Sequence, residues 1–444
     1  MERCQCFASL LISTVTQLTS PGTRGHPEDE AVGSHSPPPT TSMTSSNMLE
    51  SFRVTNFKNI ADSTEDGAPL QFGPLTLLIG PNGVGKSSLL QAIDFLKAFF
   101  TTSLEEYIAD HHWIYGDLPN LRQSQKKISW SCVFQIPPDS EGNYGGQYDL
   151  YITAMKRRYL NVGQETLRYH PSKGQPGYLI RRVGRDTRLT SPATGKTEDV
   201  LFYQLPSSVA TYLERSLHER KAYPEVIHFM NYIRRIRAAS IFDVENLREP
   251  QRGYADEIGP KGEALLPFLA RIQMQDAECF SRIKNTTIRL FENITDFAIK
   301  NSGSTNSPKI LEVYERNTIF NGKQVSDGFL RILAIVTMLY SPSPPSILLF
   351  EEPENGVHPR LLHRILEIFR SMTQRKSSMT QVIITSHSPY LVDFFRDIPS
   401  AVYTIRRQGP RAAAEFKRLD NIFPKGLPEP PLGETWFGDQ LLGA

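Results

Sequence analysis

Gly80-Pro81-Asn82-Gly83-Val84-Gly85-Lys86-Ser87 is the stretch on which the reading of this chain turns. Its pattern is G-x-x-x-x-G-K-S, and it follows the apolar run Leu75-Thr76-Leu77-Leu78-Ile79. Glycines at these positions let backbone N–H groups close around the α and β phosphates of a nucleotide. The N-terminus of the next helix adds positive partial charge. Lys86 is placed to reach the β and γ phosphates, and Ser87 to put its hydroxyl on Mg²⁺. The context is the one the motif requires. A short buried strand precedes it, and Ser87 to Phe100 follows with helical spacing, placing Leu89, Ile93, Leu96 and Phe100 on one face.

Working outward, a second apolar strand ends in acid: Ser346-Ile347-Leu348-Leu349-Phe350-Glu351-Glu352-Pro353-Glu354. In open α/β sheets, ligands bind at the carboxyl ends of strands. Glu351 there can hold Mg²⁺, and Glu352 can polarise the water that attacks the γ phosphate. A third strand, Gln381-Val382-Ile383-Ile384, ends in Thr385-Ser386-His387-Ser388, where His387 can sense the γ phosphate. A fourth motif, Val325-Ser326-Asp327-Gly328-Phe329, opens a helix with Ser326 as N-cap. The same N-terminus can offer anion binding to a phosphate held by a second copy of the chain. About 265 residues separate Lys86 from Glu352. Ring-forming hexameric ATPases hold the two motifs much closer, so a large insertion between them is expected instead.

These residues set the fold class: α/β, a phosphate-loop NTPase with a mixed sheet and a helical insertion between the loop and the Ser326 motif. Strand character is expected between about 126 and 159, with helices from about 207 to 239 and from about 262 to 299. Strands return near Lys309 to Tyr314. The first 47 residues, rich in Pro, Ser, Thr and Gly, read as a disordered extension. Met48 begins the organised domain, 48–444, with the helical insertion at about 201–300.

The chain has 444 residues, 39% hydrophobic and 22% charged, with a formal net charge of +2. That is ordinary globular composition, and it neither requires nor excludes a nucleic-acid partner. No apolar run approaches the roughly 20 residues that span a bilayer. Phe7 to Val15 is too interrupted and too weakly flanked for a signal peptide. Of four cysteines, Cys132 and Cys279 read as core residues, and Cys4-x-Cys6 lacks partners at metal-ligand spacing. The expected compartment is reducing and cytoplasmic.

Taken together, these motifs resemble an ABC-type ATPase head of the RecF/SMC/OLD group, within the wider AAA family. The residues carrying the resemblance are Asn56-Phe57-Lys58-Asn59-Ile60, Gly80 to Leu90, Ser326-Asp327-Gly328, Glu351 to Pro359, Ser386 to Pro389 and Leu432 to Gly438. It implies a head-to-tail homodimer sandwiching two ATP molecules with Mg²⁺. Asn82, Gly83, Gly85, Lys86, Ser87, Ser88 and Lys58 then contact nucleotide. Ser326 and Gly328 act from the opposite protomer, and Asn355 to His358 cross the interface. Glu352 is the catalytic carboxylate, and His387 the switch. Ser87, Glu351 and Gln135 lie near the metal. Glu351 departs from the wider ABC pattern, which has Asp there. OLD nucleases carry a nuclease domain after the switch His. Only about 57 residues follow His387 here, with no Asp-x-Asp constellation, so none is expected in this chain. The implied role is ATP-driven control of a partner nuclease or toxin in bacterial anti-phage defence. A RecF/SMC-like clamp on DNA is the alternative, with Ile233 to Arg237 and Lys156 to Arg158 as candidate phosphate contacts.

Overall fold

The computed structural model describes residues 48–427, apart from 102–103, 125–126, 157–159, 203–206, 216, 240–243, 260, 302–306, 356, 374–379, 408, 410–411 and 425. The N-terminal extension, Cys4, Cys6, Arg157, Arg158 and Leu432 to Gly438 lie outside the described residues.

A six-stranded central sheet carries the phosphate-loop strand. Its order is Arg237–Ala239, Ile347–Glu351, Gln381–Ser386, Leu75–Ile79, Val402–Arg406 and Glu415–Arg418. All neighbours are parallel except the last pair. Leu75–Ile79 is buried along its whole length, the mark of a strand covered on both faces. Residues alternate between two cores. Ile347 and Leu349 join one, while Leu348 and Phe350 join the other. Because the strands are parallel, the ends of Leu75–Ile79, Ile347–Glu351 and Gln381–Ser386 reach the same edge. Gln381–Ser386 runs between the other two.

One core lies under an antiparallel sheet of ten strands. Its path runs Thr197–Leu201, Asp186–Thr190, Gly177–Val183, Leu160–Pro171, Gly146–Lys156, Lys127–Ile136, Met48–Phe57, Ala68–Gln71 and Thr64–Glu65, with Ile60–Asp62 beside Met48–Phe57. The expected β region thus continues well past 159. Phe57, Phe95, Phe99 and Trp130 pack as an aromatic cluster between this sheet and the loop helix. The Trp130 indole N–H donates to the Ala92 carbonyl at 3.0 Å, fixing the helix to the sheet. Gln381 ties the two sheets: its Oε1 accepts from Leu49 N at 2.9 Å, and its Nε2 donates to the Leu49 and Gly73 carbonyls.

The second core is covered by helices Leu265–Gln275, Ala277–Ile288, Asp327–Tyr340 and Pro359–Thr373. Pro359–Thr373 buries Leu362, Ile365, Leu366 and Phe369, an i, i+3, i+4, i+7 stripe. Between 201 and 300 the chain also forms Ala210–Leu213, Leu217–Ala222 and Pro224–Arg234. It then contributes Arg237–Ala239 to the central sheet. The helical expectation up to 299 is met only to Ile288. Ile294–Asn301 is a strand paired with Pro308–Glu315. Its alternation of buried Phe297 and Ile299 suits a half-covered sheet. Cys132 and Cys279 are buried free thiols. Among the described residues, no helix is long and apolar enough to cross a membrane.

Candidate functional site

The loop leaves the sheet at Gly80, where the chain has no room for a side chain. A Cβ there would stand 2.3 Å from the Ile405 carbonyl oxygen and 3.0 Å from Val84 Cγ2. Gly83 and Gly85 take φ of 77° and 123°, left-handed conformations that glycine adopts without steric cost. Gly85 is the N-cap of helix Lys86–Asp94 and supplies no side chain to cap it. The first-turn N–H groups are therefore free for an anion. Lys86 curls back over the loop, its Nζ donating to the Gly80 carbonyl at 2.7 Å and the Pro81 carbonyl at 3.1 Å. Burial pushes the Lys86 ammonium below its ordinary value, against the pull of Glu352, Glu354 and Glu351. Asn82 and Gly83 are exposed on the rim, Ser87 is half-buried, and Ser88 is buried.

The acidic strand end lies within electrostatic reach of that lysine. Glu351 closes Ile347–Glu351 opposite Thr385. Glu352 then takes φ 45°, its N–H donating to the Thr385 carbonyl at 3.0 Å. A left-handed non-glycine residue is uncommon, and here it turns the chain sharply off the strand. The Glu352 carboxylate meets His387, with Nδ1 3.3 Å from Oε1, and accepts from Asn355 Nδ2 at 2.8 Å.

Glu354 is a site residue that the sequence reading left without a role. Its Oε1 accepts from Ser386 Oγ at 2.6 Å and from His387 N at 3.0 Å, and it lies 3.4 Å from His387 Nδ1. Its Oε2 is buried without a hydrogen-bond partner. The only signal for it in the sequence was the third acid of Glu351-Glu352-Pro353-Glu354.

Two expected members, Gln135 and Lys58, stand elsewhere. Gln135 does not join the site, which corrects its assignment to the metal. It pairs with Met48, beside the Leu49 that Gln381 grips at the start of Gln381–Ser386. The phosphate loop is at the other end of that strand. The Gln135 amide instead donates to Glu50 at 3.4 Å and Gln147 at 3.5 Å. Lys58, at φ 46°, flanks the loop helix rather than the loop. Its Nζ donates to Gln91 Oε1 at 2.8 Å and lies 3.3 Å from the centre of the Trp113 ring. Burial pushes its ammonium down to about 8, with Asp117 opposing.

Ser326 and Gly328 line a separate cleft of about 600 Å³ with His358, Arg360, Leu361 and Arg364. None of the loop residues lines it. Ser326 caps helix Asp327–Tyr340, its Oγ accepting from Phe329 N at 3.3 Å. Asp327 pairs with Arg248 at 2.6 Å.

Among the described residues, no group of three His, Cys, Asp or Glu could hold a metal ion by itself. Mg²⁺ is commonly held by one or two protein oxygens together with substrate phosphates, so a two-residue contribution from Ser87 and Glu351 is sufficient chemistry. The residues fit a nucleoside triphosphate with Mg²⁺. They provide an uncapped helix N-terminus, a buried cation hydrogen-bonded to loop carbonyls, a first-turn hydroxyl and three carboxylates within electrostatic reach. The orphaned Glu354 Oε2 is a further acceptor at the same edge.

Residues 75–393 match the family described as "AAA domain, putative AbiEii toxin, Type IV TA system". An OLD nuclease from Thermus scotoductus is 23% identical over 373 residues, covering 79% of this chain. The chain spans 60% of the length of that relative. Solved structures of SMC heads also align. One, bound to the C-terminal winged-helix domain of ScpA, gives a TM-score of 0.47 at 11% identity, covering 84% of this chain and 99% of the other. The SMC head from Thermotoga maritima gives 0.37 at 12% identity, covering 83% and 98%.

Proposed function

We propose that this chain, which belongs to that AAA-domain family and is an ATPase of the OLD/SMC-like group, hydrolyses ATP as a head-to-tail homodimer whose closure controls a partner effector. One observation carries the reading. Glu352 and Glu354 converge on His387 at the strand ends, within electrostatic reach of Lys86.

Bound Mg²⁺·ATP supplies the scissile phosphoanhydride and a metal that neutralises its charge. Lys86 exchanges the Gly80 and Pro81 carbonyls for phosphate oxygens, and the N–H groups of Asn82, Gly83 and Gly85 orient the chain of phosphates. Ser87 and Glu351 would hold the metal, which would supply positive charge opposite the phosphates. Ser88 lies buried behind the loop. Glu352 takes the proton of the attacking water, and Asn355 keeps its other oxygen oriented. His387, steadied by Glu354, contacts the transferred group and reports its presence to the Gln381–Ser386 strand. Ser326 and Gly328 bind the phosphate held by the opposite protomer, a reading supported by a cleft that the chain's own loop does not line. Lys58 reaches the nucleotide only after leaving Gln91 and Trp113.

The effector is a nuclease or toxin, and the setting is anti-phage defence in the cytoplasm. This rests on the kinship with a protein named as a nuclease and on the toxin named in the family description. The alternative, a clamp closing on DNA, loses candidate contacts. Arg234 is bidentate to Glu214, and Arg237 is paired with Glu257.

The deciding experiment is ATP turnover by wild type, Lys86→Ala and Glu352→Gln, with association state followed in parallel. Turnover by wild type, with a trapped ATP-bound dimer for Glu352→Gln, is the expected result. Binding of ATP without turnover or association would overturn it.

A further inference from the structure

A second cleft, of about 200 Å³, opens at the edge of the central sheet away from the phosphate loop. It sits where strands Arg237–Ala239 and Ile347–Glu351 begin, beside the Ser341 to Pro345 connection. Arg235, Arg237 and Lys97 contribute its positive charge, Asp256 and Glu257 its negative charge, and Ile258, Phe268 and Met338 an apolar wall.

The charges do not cancel. Asp256 is engaged by Arg271, Glu257 by Arg237, and Lys97 by Asp94 at 2.7 Å. Arg235 is left over. It is half-buried, its neighbours are the Tyr232 hydroxyl and a second cation, Arg237, and among the described residues no carboxylate pairs with it. The nearby Tyr232 hydroxyl is buried without a hydrogen-bond partner. A half-buried guanidinium gains when an anion takes the place of the water it has lost. Its planar fork matches an oxyanion in bidentate fashion.

We infer that this cleft binds a small phosphate monoester, its phosphate on Arg235 and its organic body against Ile258, Phe268 and Met338. The volume is below the roughly 300–1,000 Å³ of sites that enclose drug-sized ligands, which limits the body to about one ring. The site is independent of the phosphate loop and shares no residue with it.

The test is calorimetric titration of the full chain with phenyl phosphate, inorganic phosphate and phenol. Wild type is compared with Arg235→Gln, Ser343→Asp and Lys86→Ala, and the thermal unfolding of each variant is followed alongside. Ser343 is an exposed residue on the cleft rim, so its replacement puts a repelling charge there without disturbing the core. The expected result is a phenyl phosphate site in the millimolar range (~10⁻³ M) or tighter, weakened about tenfold or more by Arg235→Gln and by Ser343→Asp. Lys86→Ala should keep it, inorganic phosphate should bind more weakly, and phenol should not bind. Absence of binding overturns the proposal. So does binding lost only in Lys86→Ala, which would assign it to the phosphate loop, and binding unchanged in a folded Ser343→Asp.

Discussion

His387 Nδ1 stands 3.3 Å from Glu352 Oε1, across the gap between two adjacent parallel strands. The contact spans the ends of Ile347–Glu351 and Gln381–Ser386, so any change at one residue is felt by the other. Asn355 and Ser386 complete the tie, the first holding Glu352 and the second Glu354.

Glu352→Gln keeps the shape of this contact and removes the proton acceptor. Turnover is expected to fall by about 10²–10⁴-fold, the usual contribution of a general base. Nucleotide affinity should stay within about threefold, since in the proposed role the residue acts on water rather than on the nucleotide. Single-turnover hydrolysis beside fluorescent-nucleotide titration measures both, and an equal loss in both would remove Glu352 from the chemistry.

Glu354 separates position from charge. Glu354→Gln retains an acceptor for Ser386 Oγ and His387 N, so the fold should lose less than about 1 kcal/mol while turnover drops. Glu354→Ala orphans those donors and should cost about 1–3 kcal/mol in urea denaturation. Full turnover in Glu354→Gln would leave this residue a purely structural tie.

The opposite-protomer role of Ser326 has a mixing test. Ser326→Ala alone loses a helix N-cap, about 1 kcal/mol, and should lose turnover while still binding ATP. Lys86→Ala should also be inactive. A mixture of the two inactive proteins assembles one site from an intact loop and an intact Ser326, so activity should return. Silence in the mixture would mean that the two motifs serve the same protomer.

Lys58 predicts a pH dependence of stability. Its folded value, about 8, lies below the ordinary lysine value of 10.5. The unfolded chain therefore holds more protons between those values, and stability rises with pH through that window. Below pH 8 the burial penalty on the charged lysine is fully present. Lys58→Met should flatten the rise and be the more stable protein at pH 7, read by chemical denaturation from pH 7 to 10. A rise unchanged in Lys58→Met would assign it to other groups.

Gly80→Ala tests the close approach to Ile405. Because the obstructing atom is a backbone oxygen at 2.3 Å, a strand must move. The cost should be at least about 1–3 kcal/mol, as for overpacked cores, with loss of nucleotide binding. Wild-type stability in this variant would show that the loop leaves the sheet by a different path.

Much of the site was legible because its signals are local. Gly80 to Ser87 needs only its own neighbours to form an anion cradle, and an apolar strand ending in Glu351-Glu352 marks a candidate acidic edge within nine residues. Gln135 shows where that logic stops. A polar residue near the end of a strand has no address until the strand is placed, and register put it at the wrong edge. Glu354 escaped for the converse reason, since its meaning depends on Ser386 and His387 more than thirty residues away.

Sequence alone determined the α/β class, the phosphate loop, the acidic strand end and the cap at Ser326. Each follows from hydrophobic period, glycine geometry and capping chemistry over a single turn or strand. Tertiary structure decided which strand lies between which, that Glu352 and Glu354 share His387, that Ser326 lines a cleft that its own loop does not, and that among the described residues no carboxylate pairs with Arg235. Those depend on pairings such as Leu49 with Gln381, set by packing between segments 332 residues apart. Local free energies of about 1 kcal/mol per residue choose an element, but they cannot choose its partner.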